Sequence, residues 1–137
     1  MRFVDTNILL YGISTDPDEK GKAETAREIL NSRDLALSVQ VIQEFYVQAT
    51  RTSRPDPLSH DHAVGLIQSF MRFPIQDVTM AVALLAIATA SQYQLSYWDA
   101  AIIEAARVMK CETVLSEDLS HGQDFDGVGV INPFAPA

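Results

Sequence analysis

Arg2-Phe3-Val4-Asp5-Thr6-Asn7-Ile8-Leu9 opens the chain and sets the reading of everything after it. Arg2-Phe3-Val4 is a short strand that ends on an acid. From Asn7 to Ile13 the residues read as a helix, with Ile8 and Leu9 in its first turns. A strand closing on Asp5 and passing directly into a helix is the first half of a β-α-β unit, in which strands and helices alternate.

The same grammar recurs downstream. Asp16-Pro17-Asp18 is a helix-start signal, and Glu19 to Leu30 reads as an amphipathic helix with Ala23, Ala26, Ile29 and Leu30 on one side. Leu35 to Val39 is the next strand. From Val41 the period changes, and Val41, Ile42, Phe45, Tyr46 and Ala49 fall on one helical face with Glu44 at its edge. Arg54-Pro55-Asp56-Pro57 stops that helix. A further helix is expected from Ser59 to Phe73, turning Val64, Ile67, Phe70 and Met71 inward, and Pro74-Ile75 breaks it. Thr79 to Tyr93 is a strongly apolar helix, read as buried or interfacial. Ser96 opens another, along which Trp98, Ala101, Ile102, Ala105 and Met109 repeat. Thr113-Val114-Leu115 is a strand, His121 to Gly129 is loop-like, and Val130-Ile131 adds a last strand.

Strands separated by helices predict an α/β three-layer sandwich whose central, mainly parallel sheet is flanked by helices. The 137 residues fit one domain, 1–137. Composition is that of a globular protein, 47% apolar and 20% charged. Cys111 is the lone cysteine, which excludes an internal disulfide and fits a reducing cytoplasm. No signal peptide is read, and the apolar run Met80 to Ala88 is far short of the roughly 20 residues that cross a bilayer, so no membrane partner is expected. The net charge of −8 argues against simple electrostatic attraction to nucleic acid.

In open α/β sheets, ligands sit beyond the carboxyl ends of the strands. Asp5 and Asp118 fall at those ends, Glu44 on the helix after one, and Asp99 in the first turn of a helix. Each has an ordinary structural explanation. Asp5 suits a helix cap, Ser96-Tyr97-Trp98-Asp99 suits a capping box, Glu44 a surface position and Asp118 a turn. Capping alone does not require all four to share one rim. No Lys or Arg lies near them in sequence to neutralise them.

Two carboxylates roughly 5 Å apart repel by about 3 kcal/mol at an effective dielectric of about 20. Several such pairs would rival the roughly 5–15 kcal/mol stability of a domain. Protonation relieves the repulsion. So does Mg²⁺ or Mn²⁺, hard ions that prefer oxygen ligands and suit phosphodiester hydrolysis. Cations there also answer the objection from net charge. Thr6, Asn7 and Ser116 stand where a hydroxyl or amide can orient a carboxylate, a water or a phosphate oxygen. Arg51 and Arg54 either cap the helix of Glu44 or meet a phosphate backbone. His60-Asp61-His62 and His121 are read as surface positions and Cys111 as packing.

These motifs, in order, resemble the PIN-domain ribonucleases, and among them the VapC-like toxins of toxin–antitoxin modules. Phe3-Val4-Asp5-Thr6-Asn7 resembles the opening strand and acid. Ser38 to Phe45 resembles the second strand and the helix with its acid, Glu44. Leu95-Ser96-Tyr97-Trp98-Asp99-Ala100-Ala101 and Leu115-Ser116-Glu117-Asp118-Leu119 resemble the third and fourth acidic motifs, and Val130-Ile131-Asn132-Pro133-Phe134 an ending found in one branch. The resemblance implies an Mg²⁺- or Mn²⁺-dependent endoribonuclease in which Asp5, Glu44, Asp99 and Asp118 hold the ions or orient water. It also implies an RNA substrate, a homodimer and a cognate VapB-like antitoxin. Glu117, Asp124 and Asp126 are substitutes for the fourth acid. Two other classes also begin from these acids: a haloacid-dehalogenase-like phosphatase, which would want a second Asp where Asn7 stands, and a non-catalytic module binding a regulatory cation.

Overall fold

The computed structural model describes residues 1–136. β1 (Arg2–Val4) leads into α1 (Thr6–Gly12), a 3-10 turn (Pro17–Glu19) and α2 (Lys20–Leu30). β2 (Leu35–Ser38) is followed by α3 (Val39–Ala49) and α4 (His60–Phe70). Then come β3 (Ile75–Gln76), α5 (Met80–Tyr93), α6 (Tyr97–Val108), β4 (Thr113–Leu115), β5 (Asp124–Phe125) and β6 (Val128–Ile131). The strands form one sheet in the order β3-β2-β1-β4-β6-β5, parallel throughout except for β5. This is the expected mainly parallel α/β arrangement.

The strand order fixes where a ligand can enter. From β1 the chain winds outward through β2 to β3, then returns to place β4 on the other side of β1. The switch point therefore lies between β1 and β4, where the connections diverge and leave a crevice beyond the carboxyl ends. Arg2, Phe3 and Val4 stand beside Thr113, Val114 and Leu115, so Asp5 and Ser116 emerge together at that crevice. Beneath it Phe3, Val4, Ile8, Leu9, Leu37, Val41, Phe45 and Val114 are fully buried and make a rigid floor.

Several details differ from the sequence reading. Ile75-Gln76, expected only to break a helix, forms β3, and the Leu37 amide donates to the Pro74 carbonyl at 3.0 Å where the two strands meet. Asp124-Phe125 lies inside the stretch read as loop, yet it pairs with β6. Asp126 and Gly127 join the two with φ of 53° and 98°, the left-handed pair that a two-residue hairpin turn requires. Val39 begins α3 instead of ending β2, because the Ser38 hydroxyl caps the helix by accepting from the Val41 amide. The helix expected to reach Phe73 stops at Phe70, so Met71 turns outward at 66% exposed while Phe73 is buried. α5 buries Val82, Ala86 and Thr89 but leaves Met80, Leu84, Leu85 and Ile87 in solvent. Among the described residues no helix is long and apolar enough to cross a membrane.

Candidate active site

Asp5 is held from several sides. Its amide donates to the Leu115 carbonyl at 3.0 Å, fixing β1 to β4 at the rim. As N-cap of α1 it accepts the Thr6 amide on Oδ1 at 2.7 Å, and on Oδ2 it accepts the Ser116 hydroxyl at 2.8 Å. The side chain is buried, and burial pushes its carboxyl up to about 6. The bonds from Ser116 and Thr6 oppose that rise, while the negative charges of Asp118 and Glu44 add to it.

Glu44 reaches the same place from α3. Its Oε2 accepts the Thr6 hydroxyl at 2.7 Å and its Oε1 accepts the Gln40 amide at 3.0 Å. Asp99 arrives from the first turn of α6, where the Ser96 hydroxyl accepts the Asp99 amide at 3.1 Å. The cap uses the Asp99 backbone N–H, so capping does not take the carboxylate away from Glu44 and Asp118, whose charges it feels. Partial burial raises the Asp99 carboxyl; the Ser96 hydroxyl opposes this and the charges of Asp118 and Glu44 reinforce it. Asp118 is exposed and accepts the Asn7 amide at 3.2 Å, while its own N–H donates to the Ser116 hydroxyl at 3.1 Å. Asn7 also accepts the Glu117 amide at 3.2 Å, so one side chain ties the loop after β4 to α1. Asp5 and Asp99 thus both feel the charges of Asp118 and Glu44, and among the described residues none of the four forms an ion pair with Lys, Arg or His.

The substitutes for the fourth acid are engaged differently or lie elsewhere. Glu117 turns away and bonds the Tyr11 hydroxyl and, at 2.6 Å, the Lys22 ammonium. Burial pushes its carboxyl up, but those two partners outweigh it and hold it below its usual range. Asp124 pairs with Gly129, which lies beside Thr113 at the start of β4, so it belongs to the amino end of the sheet. There it accepts the Gly127 amide at 3.1 Å, and Asp126 sits in the adjoining turn.

Every side-chain donor atom the four acids offer is a carboxylate oxygen, a set that suits Mg²⁺ or Mn²⁺ and not a soft metal. Among the described residues no group of three or more Asp, Glu, His or Cys side chains stands close enough together to hold a metal ion. A divalent cation among the four acids would offset the repulsion that the charges of Glu44 and Asp118 exert on Asp5 and Asp99.

The profile of the PIN domain matches residues 2–123. The chain belongs to the PIN-domain family. A solved toxin–antitoxin complex from Klebsiella pneumoniae is similar over 98% of this chain and 98% of that one, with 22% identity and a TM-score of 0.71. VapC20 of Mycobacterium tuberculosis, described as a Sarcin-Ricin loop cleaving toxin, covers 86% of this chain and 92% of its own at 18% identity, TM-score 0.67. A DNA-bound VapBC from Salmonella typhimurium covers 94% and 95% at 18% identity, TM-score 0.66. A search of curated protein sequences gives no significant match.

In this PIN domain the acidic rim opens into two hollows that share Asn7, Leu10 and Asp118. One, about 320 Å³, is also lined by Thr6, Glu44 and Gln48. The other, about 260 Å³, is also lined by Tyr11, Glu117 and Arg54. Arg54 therefore faces the crevice, whereas Arg51 is exposed and lines neither hollow. His60, Asp61 and His62 are exposed, with His60 bonded to the Tyr46 hydroxyl, and Cys111 is buried in the core. The sequence reading missed Gln40, which is buried and bridges Glu44 to the Trp98 carbonyl. Its spacing of four from Glu44 on one helix face was the available signal. It also missed Lys22, whose role in neutralising Glu117 depends on a contact 95 residues apart.

Proposed function

We propose that this chain is a divalent-metal-dependent endoribonuclease and the toxin of a VapBC-type pair. The observation that carries the reading is the set of four carboxylates at the switch-point crevice, none of them in an ion pair among the described residues, with Asp5 buried and its carboxyl pushed up to about 6. The relatives' likeness at 22% identity or less speaks for the fold, so the activity rests on the acids.

Asp5, Glu44, Asp99 and Asp118 would hold Mg²⁺ or Mn²⁺, which when bound activates water and stabilises the departing oxygen of the phosphodiester. Thr6 and Gln40 keep the Glu44 carboxylate aimed at the crevice, and Ser116 does the same for Asp5. Asn7 sets the position of Asp118. Arg54, at the edge of the crevice, contacts a phosphate of the same strand and fixes its path. The RNA backbone then lies with one phosphorus in line with water, which adds as the bond to the leaving oxygen breaks.

The partners follow from the same reading. A VapB-like antitoxin covers the acidic crevice. A second copy of this chain covers the outward face of α5, where Met80, Leu84 and Ile87 recur at helical spacing in solvent. The haloacid-dehalogenase-like reading fails on Asn7, whose amide and carbonyl are both committed to the loop after β4.

RNA incubated with the purified chain is cleaved when Mn²⁺ or Mg²⁺ is added, is not cleaved with chelator, and is not cleaved by Asp99→Asn or Glu44→Gln proteins that remain folded. Failure to cut any RNA with Mn²⁺ present, together with unchanged toxicity of Asp5→Asn in cells, sinks the proposal. Calorimetric cation binding without cleavage supports the regulatory module instead.

A further inference from the structure

The hollow of about 320 Å³ beside Glu44 and Asp118 has five polar side chains in its wall, and four of them are already engaged with one another or with neighbours. The Thr6 hydroxyl donates to one Glu44 oxygen, and the Gln40 amide donates to the other. The Asn7 amide donates to Asp118 at 3.2 Å, while the Asn7 carbonyl accepts the Glu117 amide. Gln48 is the fifth. Its backbone carbonyl accepts the Arg51 amide, and among the described residues its side-chain amide meets no partner. The side chain is half-buried and faces the hollow from α3, one turn beyond Glu44 and two beyond Gln40 on the same side of that helix. Gln40 spends its amide on the fold; Gln48, in the equivalent place on the other side of Glu44, keeps its own free.

An uncommitted carboxamide is a specific kind of group to find here. Ionised carboxylates only accept hydrogen bonds, whereas Gln both donates and accepts without charge. A hydroxyl also does both, so the two match. The rest of the wall says which part of a nucleotide lies against it. Leu10 is the one apolar residue lining the hollow, and no aromatic ring lines it, so it offers a base nothing to stack on. A sugar needs less: an apolar contact for its C–H face and a partner for its hydroxyl. Side chains four apart on a helix have Cβ atoms about 5–6 Å apart, so the Gln48 amide reaches a group close to whatever Glu44 holds. In an RNA strand the 2′-hydroxyl stands on the carbon next to the one that carries the bridging 3′-oxygen. A phosphate held at the acids therefore brings that hydroxyl along with it.

We propose that Gln48 distinguishes ribose from deoxyribose, its carboxamide hydrogen-bonding the 2′-hydroxyl of the nucleotide on the 5′ side of the scissile phosphate. The 2′-hydroxyl is the group by which a protein tells RNA from DNA at a given position. The inference rests on the ribonuclease reading and deepens it by assigning sugar selection to one side chain. Gln48 takes no part in bond making.

An RNA oligonucleotide and copies of it carrying a single 2′-deoxynucleotide at each position in turn are cleaved in Mn²⁺ by the parent chain and by Gln48→Ala. For the parent, removing the 2′-hydroxyl just 5′ to the cut lowers kcat/KM about tenfold, the size of one lost neutral hydrogen bond. Gln48→Ala cleaves the all-ribose strand about tenfold more slowly and tells it from the deoxy-substituted one by less than about twofold, because protein and substrate changes remove the same contact. Gln48→Leu, which keeps bulk without the hydrogen bond, behaves as Gln48→Ala. Thermal melting of both variants matches the parent, since the Gln48 side chain bonds nothing in the fold. A deoxy penalty that persists at full size in Gln48→Ala overturns the inference. So does a loss that follows the identity of the base, or recovery of sugar preference in Gln48→Leu. Each of these leaves the ribonuclease reading standing. If the parent cleaves no RNA, that reading falls, and binding of the same oligonucleotides in Mn²⁺ decides the role of Gln48. A preference for the ribose strand that Gln48→Ala erases keeps the assignment, and equal binding or none sinks it.

Discussion

Two buried acids of this fold live under opposite rules. Glu104, on α6, is 2% exposed, and Asp5, at the end of β1, is 5% exposed. Glu104 accepts the Arg107 guanidinium at 2.9 Å and the Thr89 hydroxyl at 3.1 Å. Arg107 goes on to donate to the carbonyls of Phe125 and Asp126, bracing the β5–β6 hairpin at the amino end of the sheet. Asp34 at that same end holds Arg2. Asp5 has only neutral donors, and its nearest charges are other acids. Glu104 and Asp34 are paired with cations from the chain, whereas Asp5, Glu44, Asp99 and Asp118, among the described residues, are paired with none. Burial alone does not mark a candidate functional acid; burial without an internal counter-charge does, and Asp5 meets that criterion where Glu104 does not.

The largest effects should separate the two groups by what they destroy. Asp5→Asn, Glu44→Gln and Asp99→Asn each lower RNA cleavage by more than the about 10–100-fold typical of outer-sphere partners of a metal site. Circular dichroism should report a folded chain in each case. A variant of this set that keeps cleavage but unfolds would move its acid into the structural group.

Arg107→Ala should do the reverse. It strands a carboxylate that is 3% exposed and frees the hairpin carbonyls, although Arg107 itself is 31% exposed and water takes up part of the loss. Loss of one partner of a buried pair costs about 3 kcal/mol. Urea unfolding should show that loss while cleavage per folded molecule is unchanged. A catalytic defect at full stability would erase the distinction between the two ends.

The end that carries the candidate site was the more legible of the two in sequence. Asp5, Glu44, Asp99 and Asp118 each sit beside a strand end or in a helix turn near one, and local pattern is enough to place such residues on a rim. Parallel topology does the rest, because it sends every β–α connection to one end. The bracing end was hidden. β3 and β5 have two residues each, too short for any alternation to appear. Their existence depends on partners far away in the chain, as do the Arg107 bonds to Phe125 and Asp126. Asp126-Gly127 did carry a hairpin signal, but the apolar flank on one side is a single residue, Phe125. Met80, Leu84 and Ile87 defeat composition in another way. A run apolar all round reads as buried or interfacial without saying which side is which, and only the packing of α5 against α6 decides which side is left over.

A smaller effect follows from the raised carboxyl of Asp5. Its value in the fold, about 6, exceeds the roughly 3.9 of a free Asp. The folded state therefore holds the proton more tightly. The cost to stability is absent below about pH 4, grows between about pH 4 and pH 6, and is complete above that. In chelator, lowering the pH from 7 to 5 should stabilise the protein by about 1 kcal/mol through this group, and Asp99, also raised, acts in the same direction. Asp5→Asn should flatten the profile. Mn²⁺ should raise the melting temperature more at pH 7 than at pH 5, because cation and proton compete for the same oxygens. A profile that falls on acidification over this range, with Asp5 intact, would contradict the assignment.

The gentlest test turns one kind of acid into the other. Glu117 lies on the functional rim yet belongs by pairing to the structural group, since Lys22 bonds it at 2.6 Å. Lys22→Gln removes the cation and keeps a side chain that can donate. The side chains are 43% and 26% exposed, so the pair is screened by water and its loss should cost less than about 1 kcal/mol. The freed charge then adds to the negative potential over the crevice, one residue from Asp118. Calorimetry should show Mn²⁺ binding tightened by about two- to fourfold, the size of a screened interaction with a divalent ion nearby. A loss of several kcal/mol would mean that Lys22 braces the fold as Arg107 does. Weaker Mn²⁺ binding would mean that the Tyr11–Lys22–Glu117 cluster holds the rim in shape, and that charge is the lesser part of what separates the two ends.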